Sequence, residues 1–195
     1  MKKLIKKIAK QYDCLKIKFK FDGKLKRKSR KEFEDKVCFY HVCKYHMLSE
    51  EFIKEFQKEL DWEGVFIFQK LSEEFIREFH YKIGWRDISQ FQTLSEEFIR
   101  EFQNEVYWEH ISRHQELSEF FIREFQDKLY WTTLSINQIL SEDFIREFKD
   151  KVNWYWISIY QNLSEDFIRE FKDHVNWRCI YKYQTLSREF KNELK

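Results

Sequence analysis

The sequence predicts an all-α fold, an α-solenoid of about seven and a half helix-turn-helix repeats of 23 residues each. The first observation is a Leu-Ser pair that recurs every 23 residues without insertion, at Leu48, Leu71, Leu94, Leu117, Leu140, Leu163 and Leu186. The second is a tryptophan with the same period, at Trp62, Trp85, Trp108, Trp131, Trp154 and Trp177. The third is the absence of proline and the presence of only three glycines in 195 residues, which argues against a turn-rich β fold.

The first helix of each repeat is predicted from its capping pattern and its apolar spacing. In the repeat spanning residues 71–93, Ser72 is a suitable N-cap, and two glutamates follow in the first turn, where the helix dipole favours carboxylates. Leu71 can then pack on Ile76 as a hydrophobic staple. Apolar residues at helical spacing predict a helix of about three turns, with one buried face formed by Phe75, Ile76, Phe79 and Ile83.

The second helix of this repeat follows a break at Gly84. The counterparts of Gly84 in other repeats include Asp61, Asn153 and Asn176. These residue types suit a tight turn or a second N-cap. We expect Trp85, Ile88 and Phe91 to form the inner face of the helix, which should end at Gln92. Because one pair of short helices cannot bury so many aromatic side chains, stability must come from the stacking of neighbouring repeats.

The two ends of the array depart from the repeat. Residues 1–31 have a net charge of +12, whereas residues 32–195 have a net charge of −10. The basic segment is predicted to form a small N-terminal cap, made of an amphipathic helix followed by a strand. We therefore divide the chain into a cap segment, residues 1–31, and a helical repeat array, residues 32–195. The array ends in a half-repeat, residues 186–195, whose Phe190 is expected to face inward.

Variation between the repeats identifies a candidate protein-binding surface on the second helix. The residues one, two and five positions after each tryptophan change, and these positions share the side of the helix opposite the predicted buried face. Drift at positions that packing does not constrain would give the same pattern. Large apolar groups at Tyr155, Trp156 and Ile159 favour recognition, because buried aromatic anchors dominate binding energies. The candidate contacts are Arg86, Asp87, Gln90, His110, Arg113, Tyr155, Trp156, Ile159, Arg178 and Lys182.

A second hypothesis places nucleic-acid binding in the basic segment, because lysine and arginine neutralise phosphates. The acidic array would then orient this segment, or would itself mimic nucleic acid toward a basic partner. The candidate residues are Lys16, Lys18, Lys20, Lys24, Lys26, Arg27, Lys28 and Arg30. A third hypothesis is a structural repeat that self-associates end to end; otherwise the chain is expected to be a monomer.

An arginine also recurs in the first helix, at Arg77, Arg100, Arg123, Arg146 and Arg169. A ladder of arginines one repeat apart is one way to follow a line of phosphates. Each of these arginines, however, has carboxylates beside it in the sequence, which cancel its field locally. We therefore expect ion pairs between repeats, each contributing about 0 to 1 kcal/mol.

Residues with metal-binding or catalytic potential do not form a recognisable site. The residue types of a zinc site occur at Cys38, His41, Cys43 and His46. On one helix, however, His41 and Cys43 would point about 200° apart. His110 and His114 are four residues apart, but His114 occupies the position that Phe91 is expected to bury. Acidic residues recur in every repeat, whereas a catalytic pair should be unique, so we expect a non-enzymatic protein without a cofactor.

The compartment is predicted from the cysteines and from the apolar segments. The four cysteines show no paired spacing, and no stretch has the apolar length of a signal peptide or a membrane span. We therefore expect an intracellular, cytoplasmic protein with reduced cysteines.

The repeat itself resembles a known type of sequence. The stretch from Leu140 to Trp154, LSEDFIREFKDKVNW, followed by Ile157-Ser-x-Tyr-Gln161, is similar to short helical repeats found in tandem in proteins of giant DNA viruses and some phages. The resemblance covers about residues 32–195 and carries no catalytic residue. It implies a host-interaction or anti-defence role, in which the protein binds and blocks a host protein inside the host cell.

Overall fold

A computed structural model describes residues 39–58, 60–82 and 84–193. Every regular element in these ranges is helical: 14 short α-helices and one 3-10 turn at His80–Lys82. The described chain is an α-solenoid of repeats of about 23 residues, which confirms the predicted fold class. The predicted N-terminal helix and strand, and Cys38 of the zinc-like motif, lie outside the described residues.

The helices form two alternating sets. One set begins at the repeated tryptophan, or at Phe39 in the first repeat, and we call its members the tryptophan helices: α1 (Phe39–Tyr45), α3 (Trp62–Phe68), α5 (Trp85–Phe91), α7 (Trp108–His114), α9 (Trp131–Asn137), α11 (Trp154–Tyr160) and α13 (Trp177–Tyr183). The other set follows the repeated serine, and we call its members the serine-capped helices: α2 (Glu50–Glu55), α4 (Glu73–Phe79), α6 (Glu96–Glu101), α8 (Glu119–Glu124), α10 (Glu142–Glu147), α12 (Glu165–Glu170) and α14 (Arg188–Glu193).

The chain divides into two compact units, one ending at Gln92 and the other beginning at Thr93. In the first unit, α3 packs against both α1 and α5. In the second unit, α9 packs against both α7 and α11, and α11 packs against α13. Within each unit the tryptophan helices therefore lie side by side, as expected for stacked repeats.

The serine-capped helices begin as the sequence predicts but end early. Ser141 Oγ accepts a hydrogen bond from the backbone N–H of Phe144 at 3.1 Å, and the other repeated serines make the same bond. The prediction of three turns is wrong for the α-helices themselves, which have only six or seven residues. In the repeat spanning residues 71–93, the helical stretch continues from α4 into the 3-10 turn at His80–Lys82. Trp154 Nε1 donates to the carbonyl of Lys149 at 2.9 Å and so satisfies a backbone group that a longer helix would use.

The start of the tryptophan helices differs among the repeats. Asn153 and Asn176 are N-caps whose side chains accept from the backbone N–H three residues later, as predicted. Asp61, Gly84, Tyr107 and Tyr130 occupy the same position without a side-chain cap bond. The indole bond to the preceding turn, seen for Trp62, Trp108, Trp131, Trp154 and Trp177, is therefore the more regular feature of this junction.

The core repeats with the sequence. Phe144 and Ile145 of α10 and Ile157 of α11 are fully buried, and their equivalents are buried along the array. The expectation that Phe91 belongs to the inner face is wrong, because its side chain is 41% exposed. In a helix with 100° per residue, Phe91 lies about 110° from the centre of the face that buries Ile88 and Ser89.

The last half-repeat closes the second unit. Phe190 of α14 is fully buried, as the sequence predicts, and the guanidinium of Arg169 lies over its ring at 4.6 Å. Tyr181 replaces the serine that other repeats bury at this position, and it is half exposed.

Candidate partner-binding surface

A buried or half-buried glutamine fixes the position of each tryptophan helix from α3 to α13. Gln161 follows α11, and its Nε2 donates to the carbonyls of Gln138 at 2.8 Å and Ser135 at 3.2 Å in the preceding repeat. Its Oε1 accepts from the backbone N–H of Leu140 at 2.9 Å. The side-chain amide of Gln161 therefore satisfies two free carbonyls at the end of α9 and the N–H of Leu140 just before α10. The bond to the leucine N–H recurs at Gln69, Gln92, Gln115, Gln138 and Gln184.

A buried serine provides a second link between repeats. Ser135 Oγ donates to the carbonyl of Trp131 at 2.7 Å and accepts from the backbone N–H of Asn153, in the next repeat, at 3.0 Å. Ser112 and Ser158 make the same pair of bonds. These serines and glutamines are not among the residues predicted to be buried. The signal that identifies them is that the glutamine stays constant from Gln69 to Gln184 and the serine from Ser89 to Ser158, while the other polar positions of the same helix change.

The recurring carboxylates are engaged in bonds between repeats. Arg123 Nε pairs with Glu147 Oε2 at 2.8 Å, and the Arg123 guanidinium lies 4.9 Å from the centroid of the Phe144 ring. This arrangement recurs at Arg100, Arg146 and Arg169, which confirms the predicted ion pairs between repeats. The pKa of Arg146 is raised, chiefly by its hydrogen bond with Glu170. The charged side chains of the serine-capped helices therefore form ion pairs that hold neighbouring repeats together.

All ten predicted contact residues have side chains at least partly open to solvent. Exposed side chains are Arg86, Arg113, Tyr155, Arg178 and Lys182; half-buried ones are Asp87, Gln90, His110, Trp156 and Ile159. The first unit holds the three contacts on α5, and the second unit holds the seven on α7, α11 and α13. The predicted side of the tryptophan helices is thus accessible, although Cys179, at the position of Trp156, is buried.

The structure adds a row of residues to this surface. The position six residues after the tryptophan is exposed in α5, α7, α9, α11 and α13, where it holds Phe91, His114, Asn137, Tyr160 and Tyr183. The expectation that this position belongs to the core is wrong. Because it lies one helical turn after the half-buried position that Trp156 occupies, the two rows are neighbours on the helix surface.

The largest aromatic cluster on this surface lies on α11. The ring of Trp156 stacks on Tyr160 with centroids 5.7 Å apart and meets Tyr155 edge to face at 4.8 Å. Tyr155 is 48% exposed and Tyr160 54% exposed. On the adjacent α13, Lys182 Nζ lies 4.9 Å from the ring centroid of Tyr183. We call Tyr155, Trp156, Tyr160, Arg178, Lys182 and Tyr183 the aromatic-cationic patch.

Lys182 keeps its positive charge in this setting. Its pKa is raised, first by a hydrogen bond with the Tyr183 hydroxyl, then by the charge interaction with Tyr183 and by smaller ones with Cys179 and Tyr155. Helices α11 and α13 pack against each other, so their exposed side chains are neighbours at the patch. The ammonium therefore remains available to an anionic group at neutral pH.

The histidine pair on α7 has a different character. The rings of His110 and His114 are stacked with centroids 5.9 Å apart, and His114 is exposed rather than buried in the core. The pKa of His114 is lowered, mainly by desolvation and then by the charges of His110 and Arg113. Its imidazole is therefore neutral at pH 7. In the described part of the chain, no group of three or more His, Cys, Asp or Glu residues could hold a metal ion.

Comparisons with protein-family models, with curated proteins and with solved structures found no match. Among the described residues, no helix is both long enough and apolar enough to cross a bilayer.

Proposed function

We propose that this chain is a non-enzymatic binding protein that recognises another protein through the exposed side of its tryptophan helices. The observation that carries the proposal is the contrast between the two sides of these helices. The buried side repeats the same isoleucine or leucine, serine and glutamine from α5 to α11, while the combination of residues on the exposed side differs from one repeat to the next. Repeat proteins use such variable positions on a constant frame for recognition.

The chemistry of the frame agrees with a role in binding. Recurring acidic side chains pair with arginines of the preceding repeat, and others, such as Glu142, accept the backbone N–H of the next serine cap at 2.6 Å. These carboxylates stabilise the stacking of repeats. Because they lie on the serine-capped helices, the residues on the exposed side of the tryptophan helices can differ between repeats. The resemblance to viral and phage repeats makes a host protein the first class of partner to test.

Trp156→Ala is the mutation that tests this proposal. Replacement of an aromatic anchor is expected to weaken partner binding by at least about 2 kcal/mol, or about thirtyfold in Kd. The fold should persist, because the same position holds Thr133 in the preceding repeat. Tagged wild-type and mutant chains are compared by pull-down from the cells that naturally contain the protein, after nuclease treatment. The affinity of a captured partner is then measured by titration.

Thr133→Ala is the matched control, because it truncates the equivalent position one repeat earlier. It should leave both the thermal stability and the partner affinity unchanged. Equal affinity of wild type and Trp156→Ala for the captured partner would contradict recognition through this surface.

A second candidate function rests on the net charge of +12 in residues 1–31. If this segment binds nucleic acid, affinity for a labelled oligonucleotide should fall steeply with salt and should disappear when residues 1–31 are deleted. Fluorescence polarisation at a series of salt concentrations measures both effects. Binding that does not depend on salt, or that survives the deletion, would rule this candidate out.

A further inference from the structure

The aromatic-cationic patch differs in its charges from the serine-capped helices of the same unit. Tryptophan helices α9, α11 and α13 contain no aspartate or glutamate, whereas the serine-capped helices α8, α10 and α12 each carry acidic residues. The two cations of the patch, Arg178 and Lys182, are four residues apart on α13 and therefore project from the same side of that helix. Positive charge is thus concentrated beside the exposed rings of α11.

These cations lack the carboxylate partners that the recurring arginines of the second unit have. Arg100, Arg123, Arg146 and Arg169 each contact carboxylates of their own repeat or the next. Among the described residues, no carboxylate lies within salt-bridge distance of Arg178 or Lys182. The patch therefore combines unpaired positive charge with accessible aromatic surface.

We propose that the aromatic-cationic patch binds an acidic segment of a partner protein, with an apolar side chain of that segment on Trp156 and its carboxylates at Arg178 and Lys182. The proposal rests on the protein-binding function proposed above and specifies the chemistry of the partner. Carboxylates match guanidinium and ammonium donors, and the ring faces of Trp156 and Tyr160 provide apolar contact area.

The spacing of the patch limits the sequence of the segment. Adjacent packed helices have axes about 8 to 10 Å apart. An extended chain advances about 3.3 Å per residue. The apolar anchor and the carboxylates of the partner should therefore be about three residues apart.

Single-stranded nucleic acid also combines negative charge with stacking surfaces, but the charges of this chain disfavour it. A polyanion gains affinity from each phosphate that is neutralised, and this patch offers only two cations. The surrounding residues 32–195 carry a net charge of −10, which repels an extended polyanion more than it repels a short segment with two or three carboxylates.

The test uses the full chain and a pair of fluorescein-labelled peptides. Each peptide is a Gly/Ser chain of about twelve residues with one phenylalanine, and it carries either two glutamates or two lysines about three residues from the phenylalanine. Fluorescence polarisation should show that the glutamate peptide binds about tenfold more tightly than the lysine peptide, because two exposed charge pairs with the patch contribute to its affinity. Arg178→Glu combined with Lys182→Glu should reverse this preference, whereas Trp156→Ala should weaken binding of both peptides.

Lys149→Glu combined with Lys172→Glu is the matched charge control. These exposed lysines lie in the same unit, and the double change alters the net charge by the same amount. The control variant should still bind the glutamate peptide more tightly than the lysine peptide. If the control also loses this preference, the preference reflects net charge and the proposal of a local binding site is wrong. Tighter binding of oligo(dT) than of the glutamate peptide, in competition for the patch, would also overturn the proposal.

The two proposals can fail separately. If Trp156→Ala weakens partner capture but both peptides bind alike, the surface is a binding site and the acidic chemistry is wrong. If the glutamate preference depends on Arg178 and Lys182 but partner capture does not depend on Trp156, the patch chemistry stands and the proposed function is wrong.

Discussion

Phe121→Ala is expected to lower the free energy of unfolding by about 3 to 5 kcal/mol, the cost of a large cavity in a packed core. Phe121 is fully buried in α8. Its ring packs at a tilt against that of Phe125 with centroids 4.6 Å apart and stacks on the ring of Trp108 at 6.4 Å. The guanidinium of Arg100 covers it at 5.0 Å. Because the ring contacts side chains from two repeats, its removal weakens their stacking as well as α8 itself.

Phe120→Ala is a control of the same chemistry at the adjacent residue. The side chain of Phe120 is 71% exposed, and other repeats carry an acidic residue there. Its removal should change the free energy of unfolding by less than about 0.5 kcal/mol. Urea denaturation followed by far-UV circular dichroism compares the two variants. Similar losses of stability for Phe120→Ala and Phe121→Ala would contradict the core described above.

Gln161→Leu has the second largest expected effect. The substitution leaves the N–H of Leu140 and the carbonyls of Gln138 and Ser135 without the bonds that the glutamine amide supplies. Three buried backbone groups each lose a partner at about 1 to 3 kcal/mol, but the apolar leucine recovers part of this cost because a polar amide no longer has to be buried. We therefore expect a net loss of about 2 to 4 kcal/mol. The leucine is of similar size and apolar, so the loss reports hydrogen bonding rather than a cavity.

Asn162→Leu is the matched control, because it changes an amide to leucine at the next residue. Asn162 is exposed, whereas Gln161 is buried. Denaturant midpoints of the two variants and of wild type provide the comparison. A Gln161→Leu chain as stable as Asn162→Leu would show that the glutamine bonds do not stabilise the stack.

The candidate surface was partly predictable from the sequence. The variable positions after each tryptophan were found by comparing repeats, and the ten residues chosen in that way are all at least partly exposed. The row that contains Tyr160 and Tyr183 was missed, because its frequent aromatic residues suggest burial. Apolar residue type alone does not distinguish a core ring from a surface ring; the angular position on a packed helix does.

The sequence by itself determined the 23-residue repeat, the serine caps, the buried Phe-Ile pair and the tryptophan that begins the second helix. These features depend on periodicity and on bonds within about one helical turn, so they can be derived from neighbouring residues. Only the tertiary structure decided the short length of the serine-capped helices, the exposure of Tyr160 and the burial of Gln161. The glutamine bonds join residues 21 to 26 positions apart. The bonds to Ser135 and Gln138 form only when one repeat stacks on the next, because these two carbonyls belong to the preceding repeat.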